Sequence, residues 1–265
     1  MGTSHLKRIA TPNTWSIRRK EFVWVSKPKG AHALENGLPI AVAMKEFLAL
    51  AKTNSEVKKI LSSKTVNING KKVFDIKRTF GILDVLSIKE IKKNYTLVLN
   101  SRKKLDIKEL DDKEADFKIS KIIGKTSLGK NKFQLNLHDG INVLVDKDDY
   151  KVGDSLVLNL ADYKIKDKLS LSEKAPVYIL RGKHTGKTGV VEKIDGAEIM
   201  CNIEEGTFQL AKNQVVVVGK TKPLLSVFKL KTSESDDKSA SKEKKEAKSS
   251  EKKTKSTKAK TSKKE

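Results

Sequence analysis

The spacing of apolar residues changes its period several times along the chain, and those changes divide it. Pro39 suits the first position of a helix, and Ile40, Met44, Phe47, Leu48 and Ala51 then follow at helical spacing as one apolar stripe. Asn54 or Ser55 can cap a second, shorter helix with Val57, Ile60 and Leu61 on its inner face. The period then drops to two. Val66 and Ile68 alternate with polar residues, and Asn69-Gly70 is the dipeptide favoured by a type I′ hairpin turn. A further strand is expected over residues 82–88. Beyond residue 100, short apolar runs at 117–119, 133–137, 141–145 and 156–160 are separated by the turn signals His138-Asp139-Gly140 and Val152-Gly153-Asp154. Runs at 177–180, 190–191, 198–203 and 215–218 repeat that style around a glycine-containing loop.

The pattern predicts a multi-module α+β chain: a basic arm (residues 1–37), a small helix–helix–hairpin domain (38–100), a central β domain (101–173) and a second small β domain (174–222), both β domains barrel-like. Residues 223–265 complete it. The final 35 residues hold 13 lysines and 7 acids with no aromatic or branched aliphatic residue, so they cannot build a core and are expected to be disordered. The arm carries Trp15 and Trp24, the only tryptophans. They could stack on bases or pin the arm to the protein body. Pinning is the expectation, because large aromatics usually bury against protein.

Charge narrows the function. Lysine plus arginine number 56 against 33 aspartate plus glutamate, a net +23. A small domain is ordinarily served by a net charge of ~2–8, so this excess points to a polyanionic partner. A membrane-spanning role is not expected: the most apolar stretch, 38–44, is broken by Lys45 and Glu46, far short of the ~20 residues a spanning helix needs. The opening residues lack the apolar region of a secretory signal. Cys201 is the only cysteine, and the four histidines are too scattered in sequence to suggest a metal site. A reducing cytoplasm is the simplest compartment.

The basic residues fall into three groups with the pattern of phosphate contacts, which give affinity and position without reading bases. Lys7, Arg8, Arg18, Arg19 and Lys20 lie in the arm; Lys58, Lys59, Lys64, Lys71 and Lys72 lie on the second helix and the hairpin; Arg181, Lys183, His184 and Lys187 lie in the glycine loop. That loop, Arg181-Gly182-Lys183-His184-Thr185-Gly186-Lys187-Thr188-Gly189, ends like a nucleotide-binding P-loop. The P-loop requires glycine where Arg181 stands, and a helix after the loop rather than Gly189-Val190-Val191. No nucleotide cofactor is therefore expected. Asp139 and the other aspartates of 139–154 sit in turns or charged runs, where turn chemistry explains them without catalysis.

The segment Ser55-Glu56-Val57-Lys58-Lys59-Ile60-Leu61, with Val66-Asn67-Ile68-Asn69-Gly70-Lys71, resembles the alpha-L (S-four type) RNA-binding domain. The loop with Gly182, Gly186 and Gly189 resembles a KOW motif. The opening His5-Leu6-Lys7-Arg8 followed by Pro12 and Trp15, the order of modules, and the closing Asn213-Gln214-Val215-Val216-Val217-Val218-Gly219-Lys220 are together similar to the archaeal and eukaryotic (e-type) family of small-subunit ribosomal protein number four, over residues 4–223. That resemblance implies a cytoplasmic, ribosome-bound, non-enzymatic protein whose partners are small-subunit rRNA and neighbouring small-subunit proteins; a monomer is expected, since no coiled-coil heptad run appears and the charge disfavours self-association. Three departures stand out. Ile141 follows the His-Asp-Gly turn where the family has arginine, Arg181-Gly182 replaces a glycine pair, and the lysine-rich tail has no counterpart. An RNA-modifying enzyme with an alpha-L domain, or a KOW-containing transcription or chromatin binder, are the alternatives; stable association with ribosomal subunits separates them.

Overall fold

The computed structural model describes residues 5–63, 66–129, 132–146, 148–203 and 206–228; the lysine-rich tail lies outside them. Among the described residues the chain is mostly β, with two short helices, so helix is a smaller share than the α+β expectation. The first helix starts at Ile40, after Pro39 has ended a short strand paired with Thr79–Gly81. It runs only to Val42 before widening into a π-type turn, Ala43–Phe47, closed by the Leu48 N–H donating to the Ala43 carbonyl at 3.0 Å. The second helix, Asn54–Ser63, is capped one residue earlier than expected. Thr53 accepts from the Glu56 N–H at 3.3 Å while the Glu56 carboxylate accepts from the Thr53 N–H at 3.4 Å, the reciprocal pattern of a capping box, and also from the Lys52 N–H at 2.7 Å. Val57 and Leu61 are buried and Lys58 and Lys59 exposed, as the spacing predicts.

Three five-stranded antiparallel sheets follow one another. The first orders Lys71–Lys72, Val66–Ile68, Val85–Ile88, Lys93–Leu99 and Leu105–Leu110. Asn69 and Gly70 both take positive φ, 50° and 78°, as a type I′ turn demands. The last strand carries the sheet past residue 100, so the boundary expected there falls inside a hairpin. The strand expected over 82–88 begins only at Val85, because the Asp84 carboxylate turns inward and accepts from the Gly81 N–H at 2.8 Å.

The central sheet is organised by one long strand, Phe117–Gly129. Its first half pairs with Ser155–Asn159 and its second half with Lys132–Leu137, with a bulge between Ile122 and Gly124, so the strand bends and is shared like part of a barrel wall. The third sheet orders Gly206–Ala211, Glu198–Ile203, Thr188–Asp195, Pro176–Ile179 and Val215–Val217. Gly206–Ala211 is a strand that the apolar spacing does not announce. One hydrophobic core runs from Trp15 through Phe80 and Tyr178 to Phe228 across the modules, and a small second cluster around Ile122, Leu135 and Leu156 fills the central sheet. Each fully buried large aliphatic contributes roughly 1.5–3 kcal/mol.

Candidate nucleic-acid interface

The arm is more ordered than its irregular sequence predicts. Leu6–Lys7 pairs with Trp24–Val25 as a two-stranded ribbon. Trp15 is 1% exposed and its indole N–H donates to the Leu34 carbonyl at 3.0 Å, so it pins the arm as expected. Trp24 does not. It stands 56% exposed on the ribbon, opposite Lys7 and edge-on to His5 with ring centroids 5.6 Å apart, beside exposed Phe22 and Val23. A two-stranded ribbon has one face to bury, and Val25, partly buried against the core, takes it.

The charges of the arm divide. Lys7, Arg18 and Lys20 are exposed. Arg19 donates to the carbonyls of Ile9 and Pro12, at 3.2 and 3.0 Å, and to Asn13 at 2.9 Å. Arg8 is 3% exposed. It donates to Glu46 at 2.6 Å, lies 3.7 Å from Glu21, and bonds the Arg18 carbonyl. Its charge is thus committed inside the protein, and the phosphate contact expected for Arg8 gives way to a clamp between the arm and the π-type turn after the first helix.

On the hairpin, Lys71 and Lys72 are exposed and each lies over an aromatic ring: Lys71 above Tyr163 at 4.6 Å, Lys72 above Phe74 at 4.9 Å. The Tyr163 hydroxyl donates to the Asn69 carbonyl at 2.5 Å, tying the turn to the central module. A Cβ on Gly70 would lie 2.6 Å from the Leu160 carbonyl oxygen, so glycine serves close approach as well as the turn. Lys29, Lys77 and Arg78, not singled out by sequence, join this surface. The Lys29 N–H donates to the Lys77 carbonyl at 2.7 Å and Lys29 bridges Arg78, which brings the arm beside the hairpin. Only the pairing of two distant segments reveals this, so no local sequence signal exists. Lys64 lies outside the described residues.

The glycine loop behaves as a strand–loop–strand connection. Gly186 has φ +85°, its N–H donates to the Ile179 carbonyl at 2.8 Å, and a Cβ there would lie 2.3 Å from the Asn100 carbonyl oxygen. The strand Thr188–Asp195 follows, with no helix N-terminus to cradle a phosphate. Arg181 and Lys183 are exposed, Lys187 is half-buried, and His184 is buried against Phe208 with ring centroids 4.0 Å apart. The loop thus presents Arg181 and Lys183 outward but keeps His184 for packing.

Beneath these surfaces lies a charged cluster that sequence spacing did not disclose. Lys118, from the middle strand of the central sheet, is fully buried, pairs with Asp84, and donates to Asp139 at 2.6 Å. Ser120 donates to Asp139 at 2.9 Å, Asn69 donates to Asp84 at 2.9 Å, and His32 lies 3.1 Å from Asp84. Burial alone would raise the Asp84 carboxyl, but the Lys118 ammonium and His32 hold it well below the usual carboxylate range. Asp139 is lowered in the same way, with burial opposing and Lys118 prevailing. His138 accepts from the Lys121 N–H through Nδ1 at 3.2 Å, and burial with the nearby Lys118 charge lowers its pKa to about 4, so it is neutral. Asp139 is therefore engaged as an internal counter-ion, joining its turn role: its other oxygen accepts from the Ile141 N–H at 3.0 Å. Among the described residues no group of three or more His, Cys, Asp or Glu could hold a metal ion, and no helix is long and apolar enough to cross a membrane.

Residues 91–165 match the model of ribosomal family S4e, and residues 1–35 match the model of the RS4NT domain. The small ribosomal subunit protein eS4 of Methanosphaera stadtmanae is 36% identical over 230 residues, 84% of this chain and 95% of that protein. The eS4 of Korarchaeum cryptofilum is also 36% identical, over 229 residues, covering 85% and 97%. The crystal structure of the 30S ribosomal protein S4e from Thermoplasma acidophilum superposes with a TM-score of 0.59 at 28% identity, covering 70% of this chain and 95% of that one.

Proposed function

The chain belongs to the S4e family of ribosomal proteins, and from that premise we propose that it docks on folded small-subunit rRNA as a structural constituent of the small ribosomal subunit, at the ribosome in the cytoplasm. The observation that carries this reading is the match to eS4 along nearly the whole length of its relatives. Lys7, Arg18, Lys20, Lys58, Lys59, Lys71, Lys72, Arg181 and Lys183 neutralise phosphates from separate modules; Arg19 and Lys187 support them from half-buried positions. Neutralisation releases condensed counterions, and the A-form geometry of RNA favours recognition by shape and backbone. The helix–hairpin module acts in the manner of an alpha-L domain and the third sheet in the manner of a KOW domain. Neighbouring small-subunit proteins complete its surroundings. Such work needs one copy of the chain, no nucleotide cofactor and no catalytic residue. The lysine-rich tail, by its composition, adds a diffuse attraction for phosphate.

Titration onto deproteinised small-subunit rRNA at several salt concentrations tests this. With ~6–10 phosphate contacts, affinity should fall about 10³–10⁵-fold between ~50 and ~200 mM salt on the duplex-DNA scale, and somewhat less on RNA. A nearly flat response would rule out phosphate neutralisation as the source of affinity.

A further inference from the structure

The hairpin surface contains a groove that distributed phosphate contacts do not explain. It encloses about 340 Å³ and is lined by Ile68, Lys71, Lys72, Phe74, Asp75 and Arg78. Its construction follows from strand alternation. Val73 is 5% exposed and enters the core, which turns its neighbours Lys72 and Phe74 outward, and Phe74 is 68% exposed. A turn then reverses the chain. The Asp75 carboxylate accepts from the Lys77 N–H at 2.9 Å, and the Arg78 N–H donates to the Asp75 carbonyl at 3.0 Å, which returns Arg78 to the groove beside Lys29. The result is one exposed aromatic ring, with the Lys72 ammonium over one of its faces at 4.9 Å and the other face left for a base, among three cations and one acid.

We infer that this groove is a subsite for a single unstacked nucleotide of the bound RNA, with Phe74 as the platform for its base and Lys72 and Arg78 as partners for its flanking phosphates. The inference rests on the RNA-binding role proposed above and adds to it a base-stacking contact and Arg78. The chemistry selects this occupant. A protein partner's interface would be depleted of lysine at its centre, whereas a ring flanked by cations matches the two halves of a nucleotide, a π-face and an anion. The volume lies at the lower end of the ~300–1,000 Å³ found for small-ligand sites. Stacking is tolerant of base identity, so the groove fixes the path of a strand rather than its sequence.

The full-length protein and four variants, titrated onto deproteinised small-subunit rRNA at several salt concentrations, test the assignment. Phe74→Ala should weaken binding by roughly 5- to 150-fold, the range for loss of one base–aromatic stack, and by the same factor at every salt concentration, since no charge is removed. Arg78→Ala should weaken binding and also reduce the salt slope by about one. Phe74→Tyr should retain the parent's affinity and Phe74→Leu should not. The assignment is overturned if Phe74→Ala binds like the parent, or if Phe74→Leu restores binding. It is equally overturned if Phe74→Ala spares RNA binding but lowers incorporation into small subunits, which would place a protein on the groove. A parent that does not bind the RNA would overturn the broader reading as well, so the two failures are distinguishable.

Discussion

At the scale of single residues, the structure separates charges that face outward from charges that hold the protein together. Arg8 and Arg18 look alike in sequence, yet Arg8 is 3% exposed and paired with Glu46 while Arg18 is exposed. Arg8→Ala leaves Glu46 without its partner in a partly buried site, so it should cost roughly 3 kcal/mol of unfolding free energy; Arg18→Ala should stay within about 0.5 kcal/mol. Chemical denaturation of both variants checks this, and equal stabilities would show that Arg8 is no clamp. His138 gives a pH signature. Its pKa is lowered in the folded protein to about 4, so the unfolded chain takes up a proton near pH 6.5 while the folded chain does not. Stability should therefore be full above pH 6.5 and fall by up to ~3 kcal/mol as pH drops toward 4. The lowered carboxyls of Asp84 and Asp139 add their loss only below the ordinary carboxylate range. His138→Gln should flatten the profile between pH 6.5 and 4; an unchanged slope would assign it to other groups.

At the scale of elements, local chemistry was legible wherever a short pattern decides the backbone. Asn69-Gly70 made its type I′ turn, and the inward Val57 and Leu61 made the helix amphipathic, because both outcomes depend only on neighbours a few residues away. What sequence left hidden was long-range. Trp15 and Trp24 are equivalent on paper, and only long-range contacts separate them: Trp15 enters the core and bonds the Leu34 carbonyl, while Trp24 stands exposed on the ribbon. The cluster of Asp84, Lys118, Asp139 and His32 joins residues from three modules, so no spacing could announce it. The strand Gly206–Ala211 was missed because only Leu210 of its residues is buried. The glycine loop was readable from both sides: Arg181 breaks the P-loop pattern, and the strand Thr188–Asp195 removes the helix that pattern needs. Equilibrium dialysis with ATP or GTP should accordingly detect no binding by the parent or by Lys187→Ala. Nucleotide binding that Lys187→Ala abolishes would overturn this account of the loop.

At the scale of the whole molecule, the modules are cemented by polar contacts as well as by a continuous core. The Tyr178 hydroxyl donates to the Leu99 carbonyl at 2.9 Å and accepts from the Leu99 N–H at 2.7 Å; Lys121 donates to the carbonyls of Lys212 and Val215 at 2.6 and 2.7 Å. Burial lowers the Lys121 pKa to about 8, a cost the carbonyl contacts partly offset. A body fixed in this way holds its outward cations at set distances, and on the proposed function an rRNA surface that matches them would be gripped from several modules at once. In the same proposal the net charge of +23 would supply long-range attraction and the fixed arrangement of cations the choice of site. The measurement that tests this most directly is sedimentation of the full-length chain with ribosomes separated into subunits, through a gradient at rising salt. The protein should travel with the small subunit, at about one copy per particle, and remain there at salt concentrations that strip non-specifically bound basic proteins. Recovery at the top of the gradient, or an even distribution between the two subunits, would contradict the account.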